Sequence, residues 1–229
     1  MGDCVWSKIM IIGAHAGDAE LMAGGIACKV IENGGEAIFI HMSLGERGHP
    51  RLDPEKYGLQ KKMEAERVAE KIGAKIFFMN CRDGYIEYSL KLAEKIGEMI
   101  RSEKPDVVLT HWKGSLHLDH INTYRIVLKA IFLATNKWTN IKGGPWYSKL
   151  YFAENWEDSN NFIKDIYIDI SSVFEKWINA VNIYGFVRGE TGFPYREYYT
   201  CLSRIRGIEI GVKYAQILMK PWYTRKTIL

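Results

Sequence analysis

The chain has 229 residues, 47% of them apolar, and a formal net charge of +4. That length and composition suffice for one buried core, so a single domain spanning 1–229 is expected. Lys and Arg are dispersed among Asp and Glu, which argues against a nucleic-acid partner, and no apolar stretch reaches the roughly 18 residues that span a bilayer.

The opening residues lack the basic-then-apolar pattern of a secretory leader, and Trp6 stands where a myristoylation signal needs Ser or Thr. An apolar run over 8–13 predicts the first strand, and the periodic segment 21–33 predicts a helix closed by Gly34 and Gly35. A second strand is expected over 36–42. A helix over 58–72 carries Met63, Val68, Ala69 and Ile72 on one face and ends at Gly73. A strand over 74–79, a helix over 89–102, a strand over 107–110 and a helix over 119–134 continue the alternation. Such alternation implies right-handed crossovers and a mostly parallel sheet, that is, a Rossmann-like three-layer αβα fold. The last third is less regular. Strands are expected over 146–153 and 166–170, then a helix from Ser172 to about Tyr184 with Ser172 and Glu175 spaced as a capping box. A final helix is expected over 195–218, with a break near Gly207.

The four cysteines, Cys4, Cys28, Cys81 and Cys201, are far apart and form no paired motif. They read as reduced, mostly buried thiols of a cytoplasmic protein. The longest stretches without predicted structure are 43–57 and 80–88, and long loops in compact folds are often functional.

The chemistry concentrates where strands end. The first strand runs into Ala14-His15-Ala16-Gly17-Asp18-Ala19-Glu20, and the fourth into His111-Trp112-Lys113-Gly114-Ser115-Leu116-His117-Leu118-Asp119-His120. In a parallel sheet both loops lie at the C-terminal edge, where such sheets bind ligands. Two imidazoles and a carboxylate suit Zn²⁺, and three protein ligands with an open position are the catalytic arrangement. All six histidines fall at or before position 120. His41 and His111 read as ordinary hydrogen-bonded residues. Asp119 also reads as a helix N-cap, a role that can coexist with a catalytic one.

These motifs resemble the LmbE-like, or PIG-L, family of zinc-dependent N-deacetylases, whose first motif is Ala-His-Pro-Asp-Asp-x-Glu and whose second is His-x-Asp-His. Further points of similarity are Gly24-Gly25, Gly45-Glu46-Arg47-Gly48, Glu64-Ala65-Glu66-Arg67, Pro105-Asp106-Val107-Val108 and the stretch from Tyr195 to Ala215. The resemblance implies a metal held by His15, Asp18 and His120, with Zn²⁺ or another divalent ion as cofactor. It implies His117 as the group assisting the tetrahedral intermediate and Asp119 as its orienting carboxylate. It further implies a small N-acetylated sugar conjugate of the N-acetylglucosamine type as substrate, and a homo-oligomer.

One departure bears on mechanism. The family's general base is the first Asp of its motif, and Gly17 stands there; Ala16 replaces the preceding Pro. A general base is typically worth about 10²–10⁴ in rate. Glu46 and Glu20 are the carboxylates best placed by sequence to replace it. Arg47, His49, Arg51 and Arg82 on the long loops are candidate substrate contacts. A catalytically inactive metal- and carbohydrate-binding protein is the alternative. A nucleotide-binding reading ranks last, because no Gly-x-Gly-x-x-Gly follows the first strand.

Overall fold

The computed structural model describes residues 6–224; Cys4 and the Met-Gly start lie outside the described residues. Seven strands are present: β1 (Lys8–His15), β2 (Glu36–Ser43), β3 (Lys75–Cys81), β4 (Val107–Thr110), β5 (Lys149–Ala153), β6 (Ile166–Asp169) and β7 (Ala215–Met219). They form one sheet in the order β3-β2-β1-β4-β5-β7-β6. The first five are parallel, and β7 runs antiparallel to both β5 and β6. β1 is buried beyond its first residue, as expected of a central strand covered on both faces.

Six helices complete the layers: α1 (Asp18–Glu32), α2 (Pro54–Ile72), α3 (Leu90–Glu103), α4 (Leu118–Thr135), α5 (Phe174–Val181) and α6 (Tyr195–Glu209). Alternation along β1 separates two cores. Ile9 and Ile11 face a cluster built with α1, α2 and α5, while Met10 and Ile12 face one built with α3 and α4. The chain leaves β1 for β2 on one side, and β4 lies on the other. That change of direction opens a crevice beyond the C-terminal ends of β1 and β4, the usual ligand site of such sheets.

Three expectations need correction. The last helix does not continue to 218: α6 ends at Glu209, and 215–219 form the fully buried strand β7. A Cβ at Gly207 would lie 2.7 Å from the backbone of Lys213, so the chain folds back tightly across this glycine and feeds the sheet. The expected capping box is absent, because the N-cap of α5 is Val173 and the Ser172 hydroxyl donates to Glu32 instead. The thiols are less buried than expected, since Cys28 is buried, Cys81 partly so and Cys201 exposed. No helix among the described residues is long and apolar enough to cross a membrane.

The helix that carries the first motif is anchored by α5. Trp177 is fully buried, its indole N–H donates to the Glu20 carbonyl at 2.7 Å, and its ring packs against Gly24. Trp177→Ala removes both the ring and the donor. Urea unfolding is expected to show a loss of roughly 3–5 kcal/mol.

Candidate active site

β1 delivers His15 to the sheet edge, and α1 starts three residues later. The turn between them passes through Gly17 at φ 107°, which is the N-cap of α1 and offers no side chain. Asp18 therefore begins the helix and folds its carboxylate back: Oδ2 accepts the His15 amide at 2.8 Å and lies 3.1 Å from His15 Nδ1. The same oxygen lies 3.4 Å from Nε2 of both His111 and His120.

β4 and α4 supply the opposing wall. His111 follows β4 directly, and its Nε2 accepts the Ala14 amide at 2.9 Å, which ties it to the end of β1. His117 is the N-cap of α4, with Nδ1 accepting the Asp119 amide at 3.2 Å. This places the neutral ring's proton on Nε2. Asp119 is therefore not the cap. Its carboxylate accepts the Gly84 and Ile86 amides at 2.7 and 3.1 Å, and Oδ2 lies 3.2 Å from His15 Nε2.

The loop after β5 contributes Asp158, which the sequence patterns do not single out. Its Oδ2 accepts His111 Nδ1–H at 2.7 Å and its Oδ1 accepts His120 Nδ1–H at 2.8 Å. Both rings stack with centroids 3.9 Å apart. Burial opposes the charge of Asp158, but the two imidazoles outweigh it and hold the carboxyl well below the usual range. Because His120 Nδ1 is committed to Asp158, Nε2 is the ring nitrogen left to face the site. That atom is buried and has no hydrogen-bond partner.

These observations test the fit of a metal. His15, Asp18 and His120 bring one ligand atom each within 4.8 Å of one another. The free Nε2, oriented by a carboxylate behind it, is the usual arrangement of a metal-ligating histidine. Among the described residues two further groups share these histidines: His15, His117 and Asp119, in which Asp119 already accepts the Gly84 and Ile86 amides, and His111, His120 and Asp158, already joined by hydrogen bonds through the imidazole Nδ1–H groups. Two nitrogens and a carboxylate oxygen suit Zn²⁺ or a similar divalent ion.

The triad opens onto a cavity of about 370 Å³ whose wall includes His117, Arg47, Asp83, Glu157, Lys61 and Phe186. Glu157 Oε2 lies 3.6 Å from His120 Nε2, and burial raises its pKa. Asp83 Oδ1 lies 3.2 Å from His15 Nε2, and its Oδ2 accepts the Arg47 amide at 2.7 Å. Glu46 stands behind Asp83 and accepts its amide at 2.9 Å, without lining the cavity itself. His49 accepts the Arg51 and Leu52 amides and shapes the loop before α2. Arg82 is exposed, with its guanidinium 4.3 Å above the Tyr85 ring. Neither His49 nor Arg82 lines the cavity. Glu20 is fully buried on the α5 side, where it accepts the Tyr184 hydroxyl at 2.9 Å.

The family model described as GlcNAc-PI de-N-acetylase matches residues 10–131. The chain belongs to the PIG-L family. Curated PIG-L-like relatives include 4-oxalmesaconate hydratase of Pseudomonas putida, 24% identical over 213 residues that cover 87% of this chain and 80% of that protein. Diacetylchitobiose deacetylase of Thermococcus kodakarensis is 23% identical over 227 residues, covering 91% and 81%. The crystal structure of GalB, the 4-carboxy-2-hydroxymuconate hydratase of Pseudomonas putida, superposes with a TM-score of 0.87 at 21% identity, covering 97% of this chain and 99% of that one. At that identity the superposition establishes the PIG-L fold.

Within the PIG-L frame, Gly17 is more than a missing carboxylate. A Cβ at this position would lie 2.5 Å from Phe186 Cζ, and the backbone is left-handed. The ring of Phe186 fills the space into which a side chain at 17 would project.

The charges at the triad predict how a metal competes with protons. Burial works against the protonated form of His120, but Asp18 and Asp158 outweigh it and raise the pKa to about 9. Metal uptake must displace this proton. His15 is likewise held well above the usual imidazole range, burial opposing and Asp119, Asp18 and Asp83 outweighing it, so affinity for Zn²⁺, read by chelator competition, is expected to rise at least about tenfold per pH unit between pH 7 and 8. In Asp158→Asn the affinity falls by roughly 10–100-fold.

Proposed function

We propose that this chain is a metal-dependent enzyme that directs water at an electrophilic carbon, with the N-acetyl amide of a small sugar conjugate as its first target. The observation that carries the reading is the buried, unpartnered Nε2 of His120 set beside Asp18 and His15. The proposed ligands are His15, Asp18 and His120, and the proposed ion is Zn²⁺. Bound there, the ion supplies Lewis acidity, polarising a substrate oxygen and lowering the pKa of water.

The chain's own groups would perform the proton transfers. Water's oxygen adds to the amide carbon while a wall carboxylate takes its proton. Glu157 suits this task, because burial raises its pKa and it faces His120 Nε2. His117 carries its proton on Nε2 and donates a hydrogen bond to the developing oxyanion. Asp119 sits beside it, joined to the 84–86 loop. Collapse breaks the C–N bond, the carboxylate returns the proton to the leaving amine, and acetate departs. Glu46 sets the position of Asp83, and Arg47 meets the outer part of the substrate. The proposal extends to a cytoplasmic homo-oligomer, for which exposed Leu116, Phe132 and Trp138 offer apolar surface.

A second reading has a specific observation behind it. With Gly17 and Phe186 in place of the family's base, this wall is built differently from that of an amide hydrolase. Addition of water to the carbon–carbon double bond of an acid uses the same metal site and fits the relatives named as hydratases.

Three measurements decide among these readings. Glu157→Gln is expected to lower kcat by roughly 10²–10⁴; if turnover survives there and is lost in Glu46→Gln, Glu46 is the acceptor. Gly17→Asp alone is expected to destabilise the chain by roughly 1–3 kcal/mol without raising amine release. The pair Gly17→Asp with Phe186→Ala opens the space and is expected to raise release from N-acetylglucosamine conjugates. Absence of turnover with every amide and enoate, in a chain that still holds metal, would instead identify a metal- and carbohydrate-binding protein.

A further inference from the structure

One cavity residue has no part in the mechanism above. Lys61, in the second turn of α2, is 6% exposed and lines the cavity. Its ammonium lies 4.4 Å above the Phe186 ring and 5.8 Å from the Tyr57 centroid. Burial pushes the pKa of the ammonium down, and Asp18, Asp83, Glu20 and Glu64 oppose this only through space, with no hydrogen bond to any of them. An ammonium has three donors, and Lys61 lines the cavity rather than spending them on a neighbouring side chain. The cavity is where a partner for them can come from.

The surroundings are shaped to hold this group. A Cβ at Gly45 would lie 3.0 Å from Lys61 Nζ and 3.1 Å from His15 Cβ. Glycine at 45 thus makes room for the ammonium directly beside a metal-triad histidine. On its other side is Phe186, the same ring that closes the space at Gly17. A ring face attracts a cation. Where the family sets an acidic side chain, this chain sets a ring and, on that ring, a positive charge. Arg47 adds a second cation farther out on the wall.

We propose that Lys61 is a specificity residue that receives a carboxylate of the substrate, so that the substrate is an acid whose carboxylate lies close to the reacting carbon. This rests on the reading that the substrate occupies the cavity beside His15, Asp18 and His120. A single negative charge is favoured over a phosphate dianion, because Asp18, Asp83 and Glu157 line the same space and repel added charge. The opposing explanation is that Lys61 merely offsets these buried carboxylates. In that case its removal alters stability and metal binding but not the preference for acidic ligands.

A matched pair of small probes separates the two. N-acetylglycine carries a carboxylate where N-acetylglycinamide carries a neutral amide. Calorimetric titration of each is performed with the metal-loaded chain, with the chelator-stripped chain, and with Lys61→Met and Lys61→Arg. The wild-type chain is expected to bind the acid at least tenfold more tightly than the amide, with or without metal. The preference is expected to fall to within about twofold in Lys61→Met and to be largely kept in Lys61→Arg. Equal binding of the two probes, or binding of neither, overturns the proposal. So does a preference that vanishes when metal is stripped, since the metal then holds the acid, or one that survives in folded Lys61→Met. If Lys61→Met does not fold, the stripped wild-type and Lys61→Arg titrations decide alone. Metal content per chain is read separately, so a chain without metal refutes the metal-enzyme reading while leaving this test intact.

Discussion

The site depends on one carboxylate that touches no substrate. Asp158 accepts a hydrogen bond from His111 with one oxygen and from His120 with the other. These two bonds fix both tautomers and turn both Nε2 atoms toward Asp18. His111 uses its Nε2 to hold the end of β1, through the Ala14 amide. His120 keeps its own free. A fully buried aspartate would be costly without partners; two charge-assisted hydrogen bonds make it tolerable and make the arrangement rigid. The site is thus an assembly of three strand ends: β1 brings His15 and Asp18, β4 brings His111 and His120, and the loop after β5 brings Asp158.

The second constraint is how the cavity wall is filled around that centre. Gly17, Phe186, Lys61 and Gly45 form a chain of mutual dependence. The glycine at 17 admits the phenyl ring, the ring supports the ammonium, and the glycine at 45 leaves room for it. No single reversal restores a carboxylate at position 17, because the Phe186 ring already occupies that space. The effect is a ring and a cation at position 17's side of the cavity, while His15, Asp18 and His120 stay clustered beside it. The fold is shared by proteins named as deacetylases and as hydratases, and the reaction is set by the groups placed on that fold.

Much of the architecture was legible in the chain itself. Apolar runs alternating with 3.6-residue periodicity marked β1 to β4 and α1 to α4, because each strand of a parallel sheet is buried on both faces and each covering helix on one. The expectation failed at 215–219. Those residues follow a helix without a strong stop, and Ala215-Gln216-Ile217-Leu218-Met219 reads equally well as helix or strand. Contact with β5 and β6, distant in sequence, decides between them. The cluster of His15, Asp18 and His120 was legible because its members lie in two short motifs at predicted strand ends. Asp83 lies by the same rule at the end of β3 and was open to the same reasoning.

The sequence by itself determined the layered α/β class, the two motifs and the absence of a carboxylate at position 17, since these depend on local pattern and on residue identity. Only the tertiary structure decided that Asp158 orients two histidines, that His117 rather than Asp119 caps α4, and that Phe186 and Lys61 occupy the wall beside Gly17. Each of these turns on contacts between residues dozens to more than a hundred positions apart, or on the direction of a side chain at a turn. Neither is encoded in spacing along the chain.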